Sequence, residues 1–254
     1  MTAETPILWQ ISFSHFNEKG RWALDYKGVQ HRRRTVAPGT HVLRSRMLGG
    51  TGTLPILKLD GRRITDSSEI VAELERIRPE PPLYPADDAE RRRALELEAW
   101  FGTKLGPGVR RALFHELLPE TRVAARSMFQ GLPAASRAVH TALLPVSRIA
   151  VRRALGADKR GAESGRMETV AALDRIEAEL RPSGYLAGEA FSVADLTGAA
   201  LLAPLVGPPR FAYRFPDPWP PAWERFRSEL RGREGWAWVE EMFRRHRGSS
   251  AELS

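Results

Sequence analysis

The 254-residue chain contains no cysteine. That excludes structural disulfides, cysteine-based zinc sites and any reaction carried by a cysteine thiolate. Long apolar runs are also missing: no uncharged stretch reaches the roughly 18 residues of a membrane-crossing helix. The opening MTAETPILWQISFSHF has acidic Glu4 where a secretory leader carries basic residues, so no leader is expected, and cytoplasmic residence fits. The six histidines are scattered without ligand-like spacing, so no metal is expected. Gly49-Gly50-Thr51-Gly52 lacks the Lys-Ser/Thr ending of a phosphate-binding loop.

What is present is an ordinary globular composition, 42% hydrophobic and 28% charged, with a net charge of +8. The excess divides evenly, +4 in residues 1–83 and +4 beyond them. The run Arg32-Arg33-Arg34 and the scattered arginines read first as a solvated face, with anionic membrane or nucleic acid as the alternative occupant. No specific nucleic-acid motif accompanies them.

Hydropathy patterning divides the chain. Ile7–Phe13 alternates like a strand, Glu18–Lys27 is helical and ended by Gly28, and His31–Val36 suits a solvated edge strand. Leu54–Leu59 and Arg62–Ile64 flank Asp60-Gly61, a hairpin turn signal, and a helix then starts at Asp66-Ser67-Ser68. The order is β-α-β-β-α. Four prolines in residues 79–85 mark a boundary. Beyond it the pattern is helical: Ala89–Lys104, Met167–Leu180, Ser192–Leu202, Trp223–Leu230 and Trp236–Arg244. Residues 120–165 read less clearly. Within them Ala142–Leu155 is amphipathic, interrupted by Pro145, and is expected to pack in the core or a dimer interface rather than on a membrane surface. The division expected is residues 1–80, a linker 81–88, a helical unit 89–247 and a frayed tail 248–254.

Four segments, in this order, resemble the glutathione transferase superfamily. They are Ser14–Leu24, Thr53-Leu54-Pro55-Ile56-Leu57, Asp66-Ser67-Ser68-Glu69-Ile70 and Tyr185–Asp195. The resemblance covers most of the chain outside residues 120–165 and suggests a serine-type or atypical bacterial member. It implies an α/β thioredoxin-like N-terminal domain, an all-α C-terminal domain and a homodimer. The implied activity is transfer of glutathione, bound as co-substrate, to a small hydrophobic electrophile, or action on a glutathione adduct. A non-catalytic binding protein, or a relative using another small thiol, is the alternative.

The residues suit that chemistry. A hydroxyl at a helix N-terminus stabilises a sulfur anion by hydrogen bonding and by the field of the helix amides, which makes Ser14 the candidate catalytic group. Phe16 and Asn17 follow it as candidate ligand contacts, although Asn17 suits a backbone bond at least as well. By resemblance Pro55 is a cis proline that turns the Leu54 backbone toward the cysteinyl part of the peptide. Asp66 and Ser67, at a helix start, suit the γ-glutamyl ammonium and carboxylate, and also suit capping. His15 stands where the family commonly has proline, and is expected to be an exposed, non-catalytic histidine. Thr53 stands where it commonly has a basic residue, so Arg44, Arg46 or Lys58 is the candidate for the glycyl carboxylate. Trp100, Phe101, Phe114 and His115 are candidates for the second substrate's pocket. Ser192 and Asp195 read as a capping box with Phe191 as its staple.

Overall fold

The computed structural model describes residues 4–253. The N-terminal part holds β1 (Ile7–Gln10), α1 (His15–Tyr26), β2 (Arg32–Thr35), α2 (His41–Met47), β3 (Ile56–Leu59), β4 (Arg62–Ile64) and α3 (Ser67–Ile77). The sheet order is β2-β1-β3-β4, with β2 parallel to β1, and β3 antiparallel to both β1 and β4. This is the thioredoxin-like arrangement, with α1 and α3 packed together. Asp60 and Gly61 both take positive φ, 47° and 76°, as a two-residue hairpin turn requires. β1 stops three residues short of Phe13, so Ser12 and Phe13 belong to the turn that leads into α1. Helix α2 was not legible: it is short, and Thr40 makes no side-chain capping bond.

The rest is helical: α4 (Asp88–Trp100), a π-helical turn (Phe101–Leu105), α5 (Gly106–Leu117), α6 (Thr121–Met128), α7 (Ala134–Ala154), α8 (Lys159–Glu179), α9 (Val193–Val206), α10 (Pro221–Leu230) and α11 (Glu234–His246). The helix expected to end near Lys104 instead runs on through α5. Pro107 sits in the first turn of α5, where its missing N–H is tolerated after the π turn. α5 and α8 pair closely because Gly108 and Gly165 face each other's backbones, and a Cβ at Gly165 would collide with the Gly108 carbonyl. α9 is buried along all of its length and packs against α1, α4, α5 and α11. Its N-terminus carries the expected capping box, with Asp195 accepting from the Ser192 amide at 2.8 Å and from the Ser192 hydroxyl at 2.7 Å.

One expectation about the middle segment is overturned. α7 passes through Pro145 without a break: Thr141 and Pro145 are both exposed, so the carbonyl freed by proline can face solvent. Of the two placements expected for its apolar residues, core or dimer interface, the core takes few, with Val151 packed against it. Only Leu144 is buried, while Val139, Leu143 and Ile149 are 56% exposed and Val146 79% exposed.

The C-terminal tail, expected to fray, is tied to the edge of the sheet as far as residue 253. The Leu253 amide donates to the His31 carbonyl at 2.8 Å, and the Ala251 amide to Asp25 at 2.8 Å. Arg33 pairs with Asp25 at 2.9 Å and with Glu252 at 3.4 Å, so the centre of the arginine run serves the fold.

Candidate functional site

A cleft of about 330 Å³ opens between the turn preceding α1, the loop before α2, residues 53–54, α5 and α7. Ser14, the N-cap of α1, is half-buried in its wall. Its Oγ accepts from Asn17 Nδ2 at 2.7 Å, which leaves the hydroxyl proton free to be donated. Asn17 itself is fully buried. Its Oδ1 accepts from the Ile11 amide at 3.0 Å and its Nδ2 also donates to the Leu54 carbonyl at 3.1 Å. The side chain expected as a ligand contact therefore spends its polar atoms on the protein. It orients Ser14 and fastens α1 to residue 54.

Phe16 lies on the cleft wall and packs over Gly106, where a Cβ would overlap the ring. Leu54 also lines the cleft, and the Leu54–Pro55 peptide is cis. Pro55 is buried behind it, against Gly20. Asp66 and Ser67 do not line the cleft. Asp66 is the exposed N-cap of α3 and accepts from the Ser68 amide at 2.7 Å, while Ser67 is buried. Neighbouring Ser68 accepts from the buried Lys19 ammonium at 2.7 Å, and Lys19 pairs with Glu98 at 2.6 Å, which joins α1, α3 and α4. The structure thus brings Ser14, Phe16 and Leu54 to one wall and keeps Asn17 and Pro55 behind it.

His15 is buried rather than exposed. Its Nε2 meets the Gly106 carbonyl at 3.0 Å, and burial, aided by Arg110, lowers its pKa to about 3. It is a neutral imidazole that fastens α1 to α5. None of the three basic residues considered for the glycyl carboxylate reaches the cleft. Arg44 stacks 4.2 Å over the Trp9 ring, Lys58 pairs with Glu4 at 2.6 Å, and Arg46 is exposed elsewhere. Of the four residues considered for a second substrate, Phe114 lines the cleft. Phe101 is in the core, Trp100 packs against it, and His115 Nδ1 meets the Ala157 carbonyl at 3.0 Å.

The residue missed was Arg110. Its guanidinium lies in the cleft wall beside His15, His41 and Phe114, and the wall holds no Asp or Glu. Arg110 forms no ion pair among the described residues, and its Nε is buried without a partner. Burial lowers its pKa below the usual guanidinium range. The available signal was an arginine one helical turn before Phe114, in a segment whose other inward residues, Val109 and Leu113, are apolar. Among the described residues no group of three His, Asp or Glu is placed to hold a metal ion, and no helix is long and apolar enough to cross a membrane.

A known family, the glutathione S-transferase N-terminal domain, matches residues 8–82. Solved structures match over nearly the whole chain. The fold is that of the glutathione S-transferases. The human glutathione S-transferase T1-1, in its apo form, is 19% identical with a TM-score of 0.63, over 96% of this chain and 84% of its own. The β-etherase LigF of Sphingobium sp. strain SYK-6 is 20% identical with a TM-score of 0.59, over 95% and 99%. The theta class enzyme of Xanthomonas axonopodis pv. citri, solved with glutathione bound, is 21% identical with a TM-score of 0.56, over 91% and 95%. No curated protein matches the chain in sequence. In the glutathione S-transferase fold the cleft described above lies where the N-terminal sheet domain meets the helical one, with Ser14 on the first and Arg110 on the second.

Proposed function

We propose that this chain is a serine-type glutathione transferase acting on small hydrophobic electrophiles or on a glutathione adduct. The observation that carries the reading is Ser14: a hydroxyl at the N-terminus of α1, held from behind by Asn17 and facing an apolar cleft. In this reading residues 1–80 bind glutathione, 81–88 link, and 89–247 select the electrophile. Ser14 donates its proton to the thiolate, and the N-terminus of α1 adds its field. The Leu54 backbone holds the cysteinyl part, Phe16 bounds the site, and Asp66 and Ser67 receive the γ-glutamyl end at the N-terminus of α3. Pro55 and Asn17 act by positioning Leu54 and Ser14. The protein works in the cytoplasm as a homodimer and needs no metal.

A second reading, use of a different small thiol, has one observation in its favour. The usual basic neighbour of the cis proline is replaced by exposed Thr53, and Arg44, Arg46 and Lys58 lie away from the cleft.

Calorimetric titration with reduced glutathione tests both. Saturable binding that weakens in Ser67→Ala supports the first reading. Ser14→Ala should then keep binding and lose about 10²-fold in conjugation rate, the effect of removing one donor from a developing or resident anion. Absence of binding at millimolar glutathione sinks it and favours the second.

A further inference from the structure

Helix α7 has a surface that a folded monomer does not explain. It is 21 residues long yet buries only Leu144. Val139, Leu143 and Val146 recur at spacings of four and three, so they form one outward stripe, with Ile149 at its side. α2 lies alongside, its Leu43, Arg44 and Met47 sharing a groove with Ser136 and His140 of α7. Leu43 and Met47 are 67% and 65% exposed, which extends the apolar surface across two helices. Contiguous exposure on this scale marks an interaction surface.

The two chain segments that carry these helices are basic. Residues 121–157 contain Arg122, Arg126, Arg137, Arg148, Arg152 and Arg153 and no Asp or Glu. None of these six arginines is ion-paired among the described residues. Residues 26–59, which include α2, also lack any acid. The neighbouring elements neutralise little of this charge: Arg148 reaches the Pro119 carbonyl, Arg152 the Ala157 carbonyl and His115 Nδ1, and the acid that shares a pocket with Arg126 and Arg137 is Asp217, which pairs with neither.

We infer that the α2–α7 face docks on an anionic phospholipid bilayer. Exposed apolar side chains suit the boundary between headgroups and acyl chains, and the acid-free segments that carry them suit its negative surface potential. A nucleic acid duplex would satisfy the arginines but has no apolar surface to cover Leu143 and Val146. A second copy docked symmetrically would set acid-free arginine surfaces against each other. The placement has a consequence for access. Ala150, Val151 and Ala154, in the last turns of α7, wall the cleft, so a docked molecule presents the cleft mouth toward the lipid, where apolar ligands concentrate. This inference does not depend on glutathione chemistry.

The test is sedimentation of the purified full chain with phosphatidylcholine vesicles, with and without phosphatidylglycerol. Binding is expected only to the anionic vesicles and should fall steeply with added salt. The double variant Leu143→Glu/Val146→Glu should lower the bound fraction at least about tenfold, since it removes apolar contact and adds like charge to the lipid. Both positions are exposed, so its melting temperature and glutathione titration should match the parent. No binding to anionic vesicles at low salt overturns the inference, as does equal binding to phosphatidylcholine alone. Retained binding in the double variant would overturn the assignment of this face, and displacement of the protein from vesicles by duplex RNA would assign the arginines to another partner. A dimer in the parent that the double variant dissociates would assign the face to a second copy.

Discussion

The carboxamide of Asn17 donates to the Ser14 hydroxyl at 2.7 Å and to the Leu54 carbonyl at 3.1 Å, so one buried side chain sets both the candidate catalytic group and the backbone beside it. Asn17→Asp preserves the shape but replaces the donor with an acceptor. Ser14 would then turn its proton inward to the new carboxylate, and the thiol of bound glutathione would lose its donor. The ultraviolet absorbance of the bound thiolate, followed against pH, should show the thiol pKa raised toward its value in solution. An unchanged thiol pKa would remove Ser14 from the proposed role.

His15 supplies a pH dependence. Its pKa in the folded protein is about 3, against 6.5 for a free imidazole. Between those values the unfolded chain takes up a proton that the folded chain refuses, so stability falls as pH drops through this window and is unaffected above it. The loss at the acid end is ~5 kcal/mol at most. Asp195 acts in the opposite direction, since burial raises its pKa to about 6, and comparison with His15→Gln isolates the imidazole. The difference in unfolding free energy between parent and variant, measured by denaturation from pH 7 down to pH 4, should shift steadily in favour of the variant.

Arg247, just beyond α11, links the last helix to the first. It reaches Glu18 at 2.7 Å and Asp25 at 2.8 Å, and all three side chains are buried. Arg247→Met should destabilise the fold by roughly 2 kcal/mol, less than an orphaned pair because Arg21 and Arg33 remain with the two acids. Asp25 also holds the Ala251 amide, so the same variant should expose the C-terminal tail to protease. Chemical denaturation and timed proteolysis measure the two effects.

Arg110 is costly to the fold and useful to the cleft. Its buried Nε has no partner, so Arg110→Met should leave the melting temperature unchanged or raise it. Affinity for an anionic aromatic ligand such as anilinonaphthalene sulfonate should fall by about tenfold, equivalent to ~1.4 kcal/mol. A neutral aromatic ligand should bind as before. Equal losses for both ligands would mean that Arg110 shapes the cleft and does not select charge.

Much of this arrangement was legible before any coordinates. Alternation in β1, the Asp60-Gly61 turn and the caps Ser14, Asp66 and Ser192 act within a few residues of themselves, so local pattern reveals them. What local pattern misled on was long-range. Ala142–Leu155 has the apolar content of a core helix, yet packing left most of that surface outside. The tail has the composition of a frayed end, yet the unpaired edge of β2 holds it.

The sequence by itself determined the order of elements, the position of a serine at the start of α1, the cysteine-free chemistry and the acid-free character of residues 121–157. Those properties reside in single residues and short spacings. The tertiary structure decided that Asn17 faces inward, that His15 is buried and neutral, and that Arg110 enters the cleft while Arg44, Arg46 and Lys58 do not. Each of these depends on which surfaces meet across elements far apart in the chain, and burial there changes the charge state and the hydrogen-bond partners of a side chain whose identity alone leaves both open.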